Sequence, residues 1–202
     1  MDYMNIPSVL ENTHGGVREV SLAAKHFMSR KLFIYGTITS ESANAFVMQL
    51  MYLVKNSDAP IDIYINSGGG EINAGLLMYD VIQSVKSPIN MYCTGRAMSM
   101  AAILLAGGQK GRRYILPHSE VMIHEPLISG GIGGSASSIK GVSDSILKTK
   151  KLTDKLLAKH TGKSVREIGK ATDHDNFMTA DESVEFGICD RVVDNVFAFI
   201  EE

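Results

Sequence analysis

The chain has 202 residues, 45% of them hydrophobic and 21% charged, with 20 basic against 22 acidic side chains for a formal net charge of -2. This length and apolar fraction suffice for one core and favour one domain, and the interspersed charges leave no basic stripe for a phosphate backbone, so nucleic acid is not an expected partner. Apolar runs such as Ala101 to Ala106 fall short of a membrane span, and Met1 to Leu10 lack a basic start followed by an apolar stretch, so a soluble, cytoplasmic protein with no membrane association is expected.

Residues 1–20 show no clear period and contain Pro7 and Gly15-Gly16, which predicts a mobile arm with at most one short strand. From Lys31 onward the pattern alternates. An apolar run at Leu32 to Tyr35 precedes a helical stretch from Ser40 to Lys55, and Ile61 to Ile65 then form a short β-branched run. Gly68 to Gly70 read as a turn opening a second helix through Val85, and Ile89 to Thr94 as another strand. Ser99 begins a helix that ends before Gly107-Gly108. Arg113 to Leu116 and Glu120 to His124 complete the strands. Strand, helix, strand in this order predicts an α/β fold of parallel strands with crossover helices, with functional groups beyond the carboxyl ends of the strands.

Ser129 to Ser138 is rich in glycine and serine and leads into a long helix keeping Ile139, Val142, Ile146, Leu152, Leu156 and Leu157 on roughly one face. The remaining chain is too short to cover that face, so a second copy of the chain is the expected partner. Cys93 and Cys189 each sit in an apolar segment and read as reduced core thiols, and neither has a second ligand at metal-site spacing.

The chemistry-bearing residues point to a nucleophilic serine. Ser99 lies in Gly95-Arg96-Ala97-Met98-Ser99-Met100, where small neighbours permit a sharp strand-to-helix turn that exposes the hydroxyl and aims the Met100 N–H at a developing oxyanion. A lone serine at a helix start is more often a cap. The glycine turn offers backbone N–H groups for the same purpose, and no Gly-Lys-Ser/Thr follows it to suggest a nucleotide. His124 ends the alternating run Val121-Met122-Ile123-His124 and is the best placed of the six histidines to act as base. Glu125, adjacent on a strand, should face the other way. For the carboxylate that would orient the base, Asp173, Asp175 and Asp181 all compete, and residue patterns do not choose among them.

Taken together, several motifs resemble the proteolytic subunit of the Clp protease family: Asn5 to Glu11, Tyr64-Ile65-Asn66-Ser67, Gly95 to Met100, Leu116-Pro117-His118-Ser119, Val121 to His124, His160-Thr161-Gly162 and Asp175-Asn176-Phe177-Met178. The resemblance implies a crotonase-like, ClpP-like fold: a βαβ spiral core in residues 21–202, with a protruding handle at about 126–160. It implies a serine endopeptidase with Ser99 as nucleophile, His124 as base and Asp175 as orienting acid. Oxyanion donors fall on Gly70 and Met100, and substrate-strand contacts on Gly69, Glu71, Glu125, Pro126 and Leu127. Ring-ring contacts fall on Asp173 and His174, and neither cofactor nor metal is needed. Two stacked heptameric rings, of this subunit alone or mixed with a paralogue, would receive unfolded polypeptide from an ATP-driven AAA+ unfoldase and cut it to short peptides. A weakly active or noncatalytic paralogue serving as a structural ring partner is the competing reading, and a coenzyme A thioester enzyme of the same broad fold is a third.

The chain also departs from the family pattern. It has Ser67-Gly68-Gly69-Gly70 where Ser-Pro-Gly-Gly is usual, Met98 where a small residue is usual, Arg96 for an uncharged residue and Glu125 for a glutamine. Ser84 and Asp62 replace aromatics of the unfoldase docking pocket. His174 stands in place of an arginine, so ring pairing is expected to depend on pH between about 5.5 and 7.5.

Overall fold

The computed structural model describes residues 7–13, 15–128, 130–131 and 133–195. Its main sheet grows from the alternation read above. Strands β3 (Lys31–Ile38), β4 (Ile61–Gly70) and β5 (Ile89–Met98) lie side by side in parallel, joined by crossover helices α2 (Ser40–Asn56) and α3 (Ile72–Ser84). Along β4 and β5 the period of two sorts the side chains between the two faces of the sheet. Ile61, Ile63, Ile65, Ile89, Met91 and Cys93 enter the main core, while Tyr64, Tyr92 and Tyr114 stack on the opposite face with ring centroids 5.0–5.1 Å apart. Helix α2 starts at a capping box in which Thr39 and Ser42 satisfy each other's backbone N–H groups. Its Ala43, Phe46, Leu50 and Leu53 are buried, at the spacing of one helical face. Beneath the sheet runs α4 (Met100–Ala106), every residue of which is buried.

Beyond β5 the sheet divides. The first half of β5 pairs with β6 (Arg113–Ile115), its second half with β7 (Glu120–Ile123), and β7 is joined on its far side by the antiparallel β8 (Asn176–Met178). The 26-residue α5 (Ala136–Thr161), buried only at Thr153, Asp154 and Leu157 towards its end, is followed by α6 (Val165–Ala171), α7 (Ala180–Phe186) and β9 (Arg191–Val192), which closes on β6. The C-terminal end of α5 is anchored at Arg113, a buried guanidinium that donates to both Asp190 oxygens and to the carbonyls of Ala106, His160 and Gly187.

Three local features differ from the sequence reading. Residues 1–6 of the expected mobile arm, and His14, lie outside the described residues. The described part of the arm is a β-hairpin, β1 (Ser8–Thr13) with β2 (Gly16–Ser21), closed at its base by the Leu22 N–H on the Pro7 carbonyl and followed by a short α1 (Leu22–Met28). Both faces of this ribbon meet solvent, which is why it shows no hydrophobic period. Gly68 to Gly70 are not a turn but the end of β4, because Ser67, Gly69 and Gly70 keep ladder partners in Ala97, Thr37 and Ile38. Likewise β5 runs four residues past Thr94, held by β7. In the glycine- and serine-rich stretch, Ser129 and Ile132 lie outside the described residues.

Candidate active site

Three strand ends converge at one edge of this sheet. Ser99 follows β5 with φ 54° and ψ −123°, a left-handed backbone that a side chain occupies only under strain of about 1–3 kcal/mol. That strain makes the sharp exit from strand to helix. The Ser99 N–H donates to the Met122 carbonyl at 2.8 Å and its carbonyl accepts from Ala102, so the residue is fixed from both sides. His124 directly follows β7, and Asp175 directly precedes β8. Since Ile123 lies opposite Asn176 in the antiparallel ladder, the next pair in register is His124 and Asp175.

Distances agree with that register. His124 Nε2 lies 2.8 Å from Ser99 Oγ, and His124 Nδ1 lies 3.3 Å from Asp175 Oδ1. A neutral imidazole with Nδ1–H directed at the carboxylate leaves the Nε2 lone pair facing the hydroxyl. The His124 side chain is 15% exposed and that of Asp175 is 61% exposed. Of the other two competing carboxylates, Asp173 turns to Lys150 and Asp181 stands in the first turn of α7.

Beside Ser99 opens a cleft of about 850 Å³. One side is the ends of β3 and β4 and the start of α3, including Thr37, Gly70, Glu71 and Ile72; the other is α5, through Val142, Ser145, Ile146 and Thr149. These four α5 positions are spaced i, i+3, i+4 and i+7, one helical face. Part of the apolar stripe that the sequence assigned to a partner subunit therefore looks into the cleft, whereas Ile139 and Leu152 of that stripe remain exposed. Pro126 and Leu127 form the floor between them.

The remaining sequence-derived positions separate. Gly70 lines the cleft, and a Cβ there would collide with the backbone of Ile38. Gly69 lies behind the serine: a Cβ would come within 2.8 Å of the Ser99 Cβ, so the absence of a side chain lets β4 pass this close. Met100 is the first residue of α4, where backbone N–H groups lack an intrahelical acceptor, and its side chain is buried. Glu71 lines the cleft, with its Oε2 accepting from Ser40 Oγ at 2.7 Å. Glu125 and Asp173 do not meet the cleft; both bind Lys150 Nζ, on α5. The hydrogen bonds that Lys150 donates to these two carboxylates push its pKa up. His174 is exposed next to them.

Lys150 was not singled out from sequence, because a lysine on the polar side of an amphipathic helix looks like solvated surface. Its partners flank the site residues: Glu125 adjoins His124, and Asp173 lies two residues before Asp175. A second tie runs parallel. The Glu125 N–H donates to the Thr172 carbonyl at 2.8 Å, and Thr172 Oγ1 donates to the buried Asp154 on α5, whose pKa is raised chiefly by desolvation. Among the described residues, no group of three His, Cys, Asp or Glu side chains could hold a metal ion, and no helix is long and apolar enough to cross a membrane. Both cysteines are buried, and burial raises their thiol pKa values, that of Cys93 to about 11.

A split parallel sheet with helical crossovers, bearing serine, imidazole and carboxylate in series at a cleft, agrees with the ClpP-like α/β fold of the serine-peptidase family that the sequence matches. Residues 14–196 match the family model described as Clp protease, and the chain belongs to the Clp protease family.

Proposed function

We propose that this chain is a serine endopeptidase subunit in which Ser99, His124 and Asp175 act as a catalytic triad. The observation that carries the reading is the continuous series from Ser99 Oγ through both ring nitrogens of His124 to Asp175 Oδ1, opening on a cleft of about 850 Å³. In the first step His124 Nε2 takes the hydroxyl proton as Ser99 Oγ attacks the peptide carbonyl, and Asp175 stabilises the resulting imidazolium. The N–H groups of Gly70 and Met100 hold the oxyanion, each such donor being worth on the order of 3 kcal/mol in barrier height. His124 then returns the proton to the leaving amine. Water activated by the same ring hydrolyses the acyl-enzyme and releases Ser99.

Substrate lies as an extended strand against Gly69 to Glu71 on one side and Glu125 to Leu127 on the other. Subunits assemble into stacked rings, served by an ATP-driven unfoldase that delivers unfolded chains. Exposed Met48, Met51 and Tyr52 on α2 and Leu147 and Leu152 on α5 support assembly, because apolar side chains of this size grouped on helices are usually covered. Asp173 and His174 belong to the contact between rings, and residues 21–202 act as one unit with the handle at 126–160.

The test is a fluorophosphonate probe applied to the assembled protein. Labelling of the native chain and none of Ser99→Ala is the expected result. Absence of labelling in a purified, assembled ring would assign the chain instead to a noncatalytic ring partner.

A further inference from the structure

Within the cleft, Glu71 stands apart chemically. Besides His124 it is the only ionisable residue lining the cleft among the described residues; its companions are apolar, glycine, or hydroxyl- and amide-bearing side chains. It precedes α3 as the N-cap residue, yet its side chain makes no capping hydrogen bond there, so the helix acts on the carboxylate only through its dipole. Oε2 accepts from Ser40 Oγ at 2.7 Å, which holds the group in place, and Oε1 has no protein partner among the described residues. No described lysine, arginine or histidine lies within ion-pairing distance of it, whereas Glu125 and Asp173 share Lys150 and Asp175 faces His124. The result is a positioned negative charge with no cationic side-chain partner among the described residues, one residue after Gly70.

We infer that Glu71 is a specificity-determining residue that favours a lysine or arginine side chain in the substrate residue flanking the scissile bond. This rests on the serine-peptidase reading of the cleft. A long aliphatic stem fits the apolar wall of Ile72, Val142 and Ile146, with its cationic head at the Glu71 carboxylate. Glu71 is exposed, so the attraction is a solvent-screened one and shows chiefly as a difference between cationic and acidic side chains. An acidic side chain at the same place meets repulsion with no cation to relieve it.

The experiment uses assembled Ser99→Ala protein and labelled apolar heptapeptides that differ only in a central Lys, Leu or Glu, with affinity read by fluorescence polarisation. Lys is expected to bind about tenfold tighter than Glu. Glu71→Gln, whose amide oxygen still accepts from Ser40, should reduce the ratio to about twofold or less, and Glu71→Lys should invert it. A ratio unchanged by both substitutions, or Leu binding tightest throughout, overturns the inference. Mass spectrometry of peptides cut by the native chain separates this from the broader reading. Cleavage without preference for Lys or Arg rejects Glu71 as the determinant and leaves the peptidase standing. Selective binding without cleavage does the reverse.

Discussion

The two sides of the cleft are held by different forces. On the inner side Ser99 is locked between β5 and α4, where Ala97, Met100 and Ala101 are at most 1% exposed and the strained backbone is bonded to Met122 and Ala102. On the outer side, α5 and the loops bearing Glu125 and Asp175 depend on one lysine, one threonine and a short ladder, and Leu127 is 61% exposed. Close packing sets the first geometry, because moving any member means opening a cavity or a clash. Polar ties set the second, and those to Lys150 can be cut without leaving a buried group unpaired. The nucleophile is therefore as stable as the fold, while the base and acid can be misaligned in a protein that remains folded.

This contrast makes measurable demands. Ser99→Ala should lower kcat for peptide hydrolysis by at least about 10⁴-fold while leaving the melting temperature within about 2 °C, since it deletes one oxygen without disturbing packing. Retained hydrolysis would remove the inner side from the mechanism altogether. Arg113→Met strikes the buried anchor and should destabilise the protein by about 3 kcal/mol, because the partly buried Asp190 is left without its counter-ion. Burial by itself would raise the Asp190 pKa, but hydrogen bonds and charge from Arg113 outweigh it and hold the carboxyl low. A depressed folded value contributes stability above the ordinary aspartate range that is lost as pH falls through that folded value. Acid titration of the native chain should show this loss, and Arg113→Met should not. Arg113→Met/Asp190→Asn should recover part of the stability at neutral pH, and thermal denaturation at fixed protein concentration reads all three.

Lys150→Met probes the outer side. It should reduce kcat about tenfold with little change in KM or in melting temperature, and Lys150→Arg should restore most of the rate. A fall in melting temperature matching the fall in rate would erase the distinction between the two sides. The smallest effect is expected where α5 meets the core, at His160. Its ring lies 2.6 Å from the Tyr79 hydroxyl, and burial, with Lys159 and Arg113 nearby, lowers its pKa to about 4. The unfolded chain binds a proton near pH 6.5 that the folded chain refuses, so this contribution is present above pH 6.5 and is lost as pH falls toward about 4. For a half-buried ring open to solvent screening, the effect is on the order of 1 kcal/mol. His160→Gln should flatten the slope of melting temperature against pH across that window.

Sequence alone determined the elements whose signal is local. The alternation of apolar runs gave β3 through β7 and the helices between them, because side-chain periods of two and 3.6 are written in neighbouring residues. Small residues around Ser99 and the position of His124 after an alternating run marked both as candidates for the same reason. Gly68 to Gly70 looked like a turn since glycine composition signals conformational freedom but not pairing. Only the ladder with β3 and β5 made them a strand end, pressed against Ser99 too closely for any side chain at Gly69. Residue patterns left three carboxylates equivalent, and family resemblance rather than physics favoured one. The register of β7 against β8 brought Asp175 to His124 and left Asp173 to Lys150. Register and long-range pairing are decided by which faces the whole core must bury, a sum over residues far apart in the chain that no local window contains.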